Sequence, residues 1–221
     1  CQGKLLLFTF KNTLILTAGN NFSPYAQVLT FSNSQWLETA KIGFVPFKQL
    51  IFNQNPYLVG ASYDEGKNFF KDKIYFMPFS DPAVISGIYE KKVFPAYAID
   101  FSTREGQLQG IHLIDRNYNY HLLTAEFIEK TPEPDKKGAS LAANEGEWLA
   151  VSDFSRQTDQ ISFYDIKAGG QRPVYVGKIP GEIQFITAGI WQKINGFWVC
   201  SQLPQDSFGR SMLQFWGKGN E

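Results

Sequence analysis

Cysteine is nearly absent: the 221 residues hold two, Cys1 and Cys200. Two cysteines make neither a disulfide framework nor a zinc site. Charge is scarce at 19% of residues, and 21 basic side chains balance 21 acidic ones. A balance of zero excludes the basic excess by which proteins bind nucleic acid or anionic membrane nonspecifically. No run of 18 apolar residues exists, so no transmembrane helix is expected. Aromatics, by contrast, make up 16% of the chain, with 20 phenylalanines. That excludes general disorder and points to a globular fold with a sizeable core, one large domain or two small ones by length.

Long helical periodicity is also missing. Apolar residues come in short runs, often alternating and rich in Val, Ile, Phe and Tyr. Turn residues separate them at Gly19-Asn20-Asn21, Asn55-Pro56, Asp81-Pro82, Thr131-Pro132, Gly169-Gly170 and Pro180-Gly181. Short strands spaced by about 8–12 residues are an all-β signature. The stretch from Lys130 to Lys137, dominated by Pro, Glu, Asp and Lys, reads as an exposed loop.

One strand type recurs five times, starting at Thr13, Tyr57, Tyr97, Trp148 and Phe197, spacings of 44, 40, 51 and 49 residues. A second strand follows each: Ala26 to Phe31, Lys73 to Phe79, Leu108 to Ile114, Gln160 to Tyr164 and Ser211 to Trp216. A third follows in four cases: Trp36 to Ile42, Val84 to Glu90, Tyr120 to Phe127 and Pro173 to Ile179. Phe47 to Phe52 and Ile183 to Ile190 read as innermost strands. Lys4 to Phe10 is either the first unit's inner strand or an outer strand closing the fifth. A period of about 40–50 residues with three to four strands per unit predicts a β-propeller of about five blades, one domain over residues 1–221. Blades stack on one another through wedges of large apolar side chains, which accounts for many aromatics and few charges.

Two repeat segments carry a resemblance. Glu147-Trp148-Leu149-Ala150-Val151-Ser152-Asp153 leads to Gln160-Ile161-Ser162-Phe163-Tyr164-Asp165-Ile166, which resembles a blade of the WD/YVTN-type propellers. The triplets Asp100-Phe101-Ser102 and Asp153-Phe154-Ser155 stand at equivalent places. Ser62-Tyr63-Asp64-Glu65-Gly66-Lys67-Asn68-Phe69 resembles the Asp-box of sialidase-type propellers, departing from it at Asn68 and Phe69. That resemblance implies a hairpin turn with an aromatic packed beneath it, and no activity.

Candidate chemistry is sparse. Asp100 and Asp153 lie at strand ends, where they either face a channel mouth or cap their own turns through backbone hydrogen bonds. A glycosidase needs two such carboxylates a few ångströms apart, one with a raised pKa. Asp115 and Asp165 are a second equivalent pair. His112 and His121 can oppose one another across a hairpin whose turn is Asp115 to Tyr118, and with Asp115 they form the one conceivable metal set. A P-loop, a dinucleotide fingerprint, an H-E-x-x-H pair and a nucleophile elbow are all absent from the sequence. Tyr118-Asn119-Tyr120 and Asn68-Phe69-Phe70 lie near turns, where exposed rings can stack on sugars or anchor a protein.

Cys1 opens the sequence and admits three readings: the acylated first residue of a bacterial lipoprotein, an N-terminal nucleophile, or an arbitrary boundary. The nucleophile hydrolases of the Cys type carry Thr second and an Arg in a downstream Gly-Arg-Asn motif. Here Gln2 stands second, and Gly19-Asn20-Asn21 lacks the Arg. Cys200, within an apolar strand pattern, reads as a buried thiol; a Cys1–Cys200 bridge is the alternative, exclusive of acylation at Cys1. The expectation is a non-catalytic binding or scaffold propeller of the bacterial envelope, periplasmic or extracellular. It has no assigned catalytic residue, metal or cofactor, and a membrane link only through a lipid on Cys1. Binding to a protein or glycan falls to Tyr118, Tyr120, Phe69, Phe70, Asp100 and Asp153. The alternatives are a glycan- or phosphoester-directed hydrolase with carboxylates at the channel mouth and a Cys1 hydrolase.

Overall fold

A computed structural model describes residues 4–11, 13–19, 25–64, 66–67, 69–78, 87–130, 138, 141–144, 148–152, 160–166, 172–203 and 210–217. Every regular element among them is a β-strand, so the all-β expectation holds. The chain divides into two compact units, Gln2–Ala96 and Tyr97–Glu221.

The first unit contains two runs of paired strands. One is β1 (Lys4–Phe10), β2 (Thr13–Gly19), β3 (Ala26–Ser32) and β4 (Gln35–Ile42), each antiparallel to the next. The other is β5 (Val45–Phe52), β6 (Asn55–Asp64), β7 (Phe69–Pro78) and β8 (Tyr89–Lys92), again antiparallel throughout. Lys4 to Phe10 pairs with β2 over its whole length, which places it first in the first run. Ile15, Ala26, Val28, Ile42, Phe44, Leu58 and Met77 form one core cluster contributed by both runs. Phe44 stacks on Tyr75 at 5.3 Å and 8° within it.

The second unit contains three runs. The first is β9 (Ala96–Arg104), β10 (Gln107–Asp115), β11 (Tyr120–Thr124) and the two-residue β12 (Glu129–Lys130), with β9 opening at the unit boundary. The second is β13 (Leu141–Ala143), β14 (Trp148–Ser152), β15 (Gln160–Asp165) and β16 (Tyr175–Lys178). The third has three strands, β17 (Glu182–Trp191), β18 (Ile194–Gln202) and β19 (Ser211–Gly217). Ile114, Tyr120, Leu141, Leu149, Val151 and Tyr164 fill the space between the first and second runs, and Ala150, Ile161, Phe163, Ile186, Phe197 and Val199 that between the second and third.

The recurring strand is the second member of its run at β2, β6, β14 and β18, but the first at β9. There the preceding residues 93–95, ending in Pro95, are irregular. Four hairpins close with two residues in the left-handed region: Asn33-Ser34, Asn53-Gln54, Glu105-Gly106 and Gln192-Lys193. These match the right-handed twist of the flanking strands. The Asp-box segment forms the hairpin its resemblance implies, with Asp64 paired to Phe69, Lys67 N donating to Asp64 O at 3.2 Å, and Phe69 buried. The expected loop after Lys130 lies outside the described residues at 131–137.

Candidate functional site

The two histidines do not share a site. In the β10–β11 register His112 stands opposite Leu122 and His121 opposite Leu113. One residue of offset sends the two rings to opposite faces. His112 is fully buried, its Nδ1 2.7 Å from the Tyr120 hydroxyl and its Nε2 2.9 Å from the Ser102 hydroxyl. Ser102 in turn donates to Gly110 O at 3.4 Å. That last bond orders the chain: Tyr120 O–H donates to Nδ1, Nε2–H donates to Ser102 Oγ, and Ser102 gives its proton to a carbonyl. A nucleophilic serine would need the reverse, its proton on the histidine and its oxygen open to substrate. Ser102 is 2% exposed, so the network welds β9, β10 and β11 together instead.

His121 is gripped on both nitrogens, by Glu129 Oε1 at 2.8 Å and Asp115 Oδ2 at 3.0 Å. Burial depresses its pKa, but the two carboxylates outweigh that and the net shift is upward. Burial pushes the Asp115 carboxyl the other way as well, and is outweighed by bonds from His121, Asn119 and Asn117, so its pKa falls. Carboxylates accept, so the pair favours the protonated ring that donates from both nitrogens. Asp115 Oδ1 also accepts the backbone N–H groups of Asn117 and Asn119 at 2.8 Å each, forming the turn the sequence placed there.

Asp100 is a backbone clamp. Its Oδ1 accepts Phe101 N and its Oδ2 accepts Ala143 N, both at 2.8 Å, tying β9 to β13. Asp153 lies outside the described residues, as does Cys1. The aromatic binding residues require correction. Phe69, Phe70 and Tyr120 are 7%, 3% and 6% exposed, too enclosed to stack on a ligand. Phe70 packs edge-on against Phe47 at 4.9 Å. Tyr118, half-buried, stacks on Tyr97 at 5.0 Å and takes φ 66° to close its turn. Position near a turn misled here, because turn-proximal rings fold back onto their own strands. Cys200 is buried as expected, but it is disulfide-bonded rather than a thiol.

Within the second unit, the run β13–β16 and the run β17–β19 enclose a cavity of about 600 Å³. Phe163 and Tyr175 are register partners on β15 and β16, and Phe197 and Trp216 on β18 and β19. Directly opposed residues share a sheet face, so each sheet presents a cross-strand aromatic pair. Trp216 lies 5.8 Å from Phe163 at 28° and 6.0 Å from Tyr175 at 39°. Trp148 completes the aromatic lining, and Asn144 and Asn195 are the polar side chains in it. No charged residue lines it among the described residues. Asn144 is 7% exposed; its Oδ1 accepts Trp148 N at 2.9 Å, and its Nδ2 has no partner among the described residues. Trp216 Nε1 is buried and equally without one. Tyr175, on the edge strand, is 54% exposed and forms the open rim. Gly177 makes room for the Trp216 ring: a Cβ there would stand 2.9 Å from it. All five rings are visible in the sequence, but within strands whose aromatics were all assigned to wedge packing. Aromatics paired on both strands at once, in the last two repeats, were the available signal.

No known protein family matches the chain, and no curated protein sequence does either. Solved structures do. Hydrazine synthase of Kuenenia stuttgartiensis superposes with a TM-score of 0.53 at 12% identity over 90% of this chain and 55% of its own. Dihydro-heme d1 dehydrogenase NirN, in complex with DHE, gives a TM-score of 0.54 at 13% identity over 92% of this chain and 43% of its own. The likeness is one of fold: both are β-propeller-like. The chain spans about half the length of these structures.

Proposed function

We propose that the chain is a non-catalytic binding module built as a β-propeller of about five blades, with its ligand in the aromatic cavity. The five strand runs support the blade count, the last having three strands where the others have four. The binding reading rests on one observation: a cavity of about 600 Å³ whose walls, among the described residues, are aromatic and uncharged, with the side chains of Asn144 and Asn195 in the lining. Ligand sites are commonly of this size and make-up. The hydrolase alternative draws less support, since Asp100 spends both oxygens on backbone N–H groups.

An oxidising compartment, periplasmic or extracellular, is part of the proposal, supported by the disulfide at Cys200. A Cys1 that supplied the second sulfur would carry no lipid there, so the bridge and the lipoprotein anchor exclude each other. Intact mass distinguishes a loss of two hydrogens from an acyl adduct. The binding reading is tested by titrating a diverse fragment library and following the five indole N–H resonances by NMR. Fragments that shift the Trp148 and Trp216 signals are expected. A library that leaves both unmoved refutes the reading.

A further inference from the structure

We infer that His121 is a pH-sensitive latch, which holds the edge strand β12 against β11 while the ring is an imidazolium and releases it when the ring gives up a proton.

The ring sits between two acceptors. Its Nε2 is 3.0 Å from Asp115 Oδ2 at the end of β10, and its Nδ1 is 2.8 Å from Glu129 Oε1 on β12. These two carboxylates are the charged groups that act on it among the described residues. An imidazolium satisfies both, because each nitrogen donates. A neutral imidazole keeps one N–H and one lone pair. The bare nitrogen then faces a carboxylate oxygen at hydrogen-bond distance with no proton between them, so one of the two contacts has to part.

The rest of the cluster decides which. Asp115 is fixed in its turn: Oδ1 accepts Asn117 N and Asn119 N at 2.8 Å each, and Oδ2 also accepts Asn119 Nδ2 at 3.2 Å. The Asp115 side chain is 18% exposed and that of Glu129 34%. Glu129 therefore swings into water at the lower cost, and the remaining proton stays on Nε2. β12 has little else to hold it. It consists of two exposed residues with two ladder pairs, Leu122 with Lys130 and Leu123 with Glu129. Ile128, just before it, is exposed as well. An element that buries so little opens at low cost, and its opening leaves β11 as the edge of the run. Burial lowers the pKa of the ring, but the two carboxylates raise it by more. The latch is therefore closed below the ordinary histidine value and opens as pH rises through the raised one.

Hydrogen–deuterium exchange read by mass spectrometry tests the latch at pH 6 and pH 9, with labelling times scaled to the intrinsic rate. Residues 125–130 are expected to be less protected than β14 at both pH values, as a local opening requires. Their protection should fall about tenfold from pH 6 to pH 9, the scale of one charge-assisted hydrogen bond. In His121→Gln their protection should be low and equal at the two pH values. Glu129→Gln is the decisive variant. Its amide accepts from the protonated ring and donates to the bare Nδ1, so residues 125–130 should keep their pH 6 protection at pH 9. Equal protection at both pH values in the parent protein overturns the latch. So does a fall that His121→Gln shares or that Glu129→Gln leaves in place. Protection equal to that of β14 also overturns it, because β12 would then open only with the whole fold.

Discussion

Removing one oxygen, in Tyr120→Phe, tests the buried network of the second unit. Tyr120 is 6% exposed and His112 fully buried, with 2.7 Å between hydroxyl and Nδ1. The substitution keeps the ring and its packing, and takes away the proton that Nδ1 receives. Because Nε2 is committed to Ser102 at 2.9 Å and Ser102 to Gly110, the network cannot turn around to satisfy Nδ1. No water replaces the hydroxyl without a cavity larger than one oxygen leaves. The cost is therefore that of a buried acceptor left unmet, about 1–3 kcal/mol. For a chain of this length that is a fall in Tm of about 3–10 °C. Urea unfolding at pH 7.5, with the disulfide kept oxidised, reads the same quantity as a shift in midpoint. A second variant separates orphaning from mere loss of a bond. His112→Leu combined with Tyr120→Phe removes both partners, so the double variant should be more stable than the sum of the singles by about 1–2 kcal/mol. A Tyr120→Phe protein within about 0.5 kcal/mol of the parent, or strict additivity in the double variant, would refute the ordered chain of donors.

Three further outcomes are expected. His121 has a raised pKa in the fold, so its contribution is complete below the ordinary histidine value and is lost as pH rises through the raised one; the urea midpoint should be lower at pH 9 than at pH 6, and His121→Gln should abolish that difference. The lowered pKa of Asp115 acts at the other end, its contribution present above the ordinary carboxylate range and lost as pH falls through the lowered value; Asp115→Asn should flatten the acid limb of the same titration. Gly60→Ala places a Cβ 2.0 Å from Val45 O and 2.7 Å from the Phe44 ring, and should cost on the order of 3 kcal/mol by overpacking, read by chemical denaturation; a neutral result would mean that β5 and β6 are not in this register.

The strand content and its grouping were legible before any coordinates. Alternating apolar residues make half-buried strands wherever they occur, and a fixed spacing of similar strands implies repeated units. Membership of Lys4 to Phe10 in the first run was one of two stated alternatives, decided by its pairing with β2. Turn chemistry was read less well. Asn53-Gln54 and Gln192-Lys193 adopt left-handed backbone without glycine, because the twist of long flanking strands imposes it.

By itself, the sequence determined the all-β class and the burial of most aromatics, since these follow from local pattern and composition. Only the tertiary structure decided which polar groups are spent. His112, His121 and Asp100 looked available because a sequence shows donors and acceptors without their partners. Those partners stand up to 43 positions away in the chain. The same holds for the aromatics. Phe69, Phe70 and Tyr175 are all aromatic residues near turns. What separates them is whether neighbouring strands pack over the ring, as Phe47 and Tyr63 do on Phe70, or leave it at an open edge, as on β16.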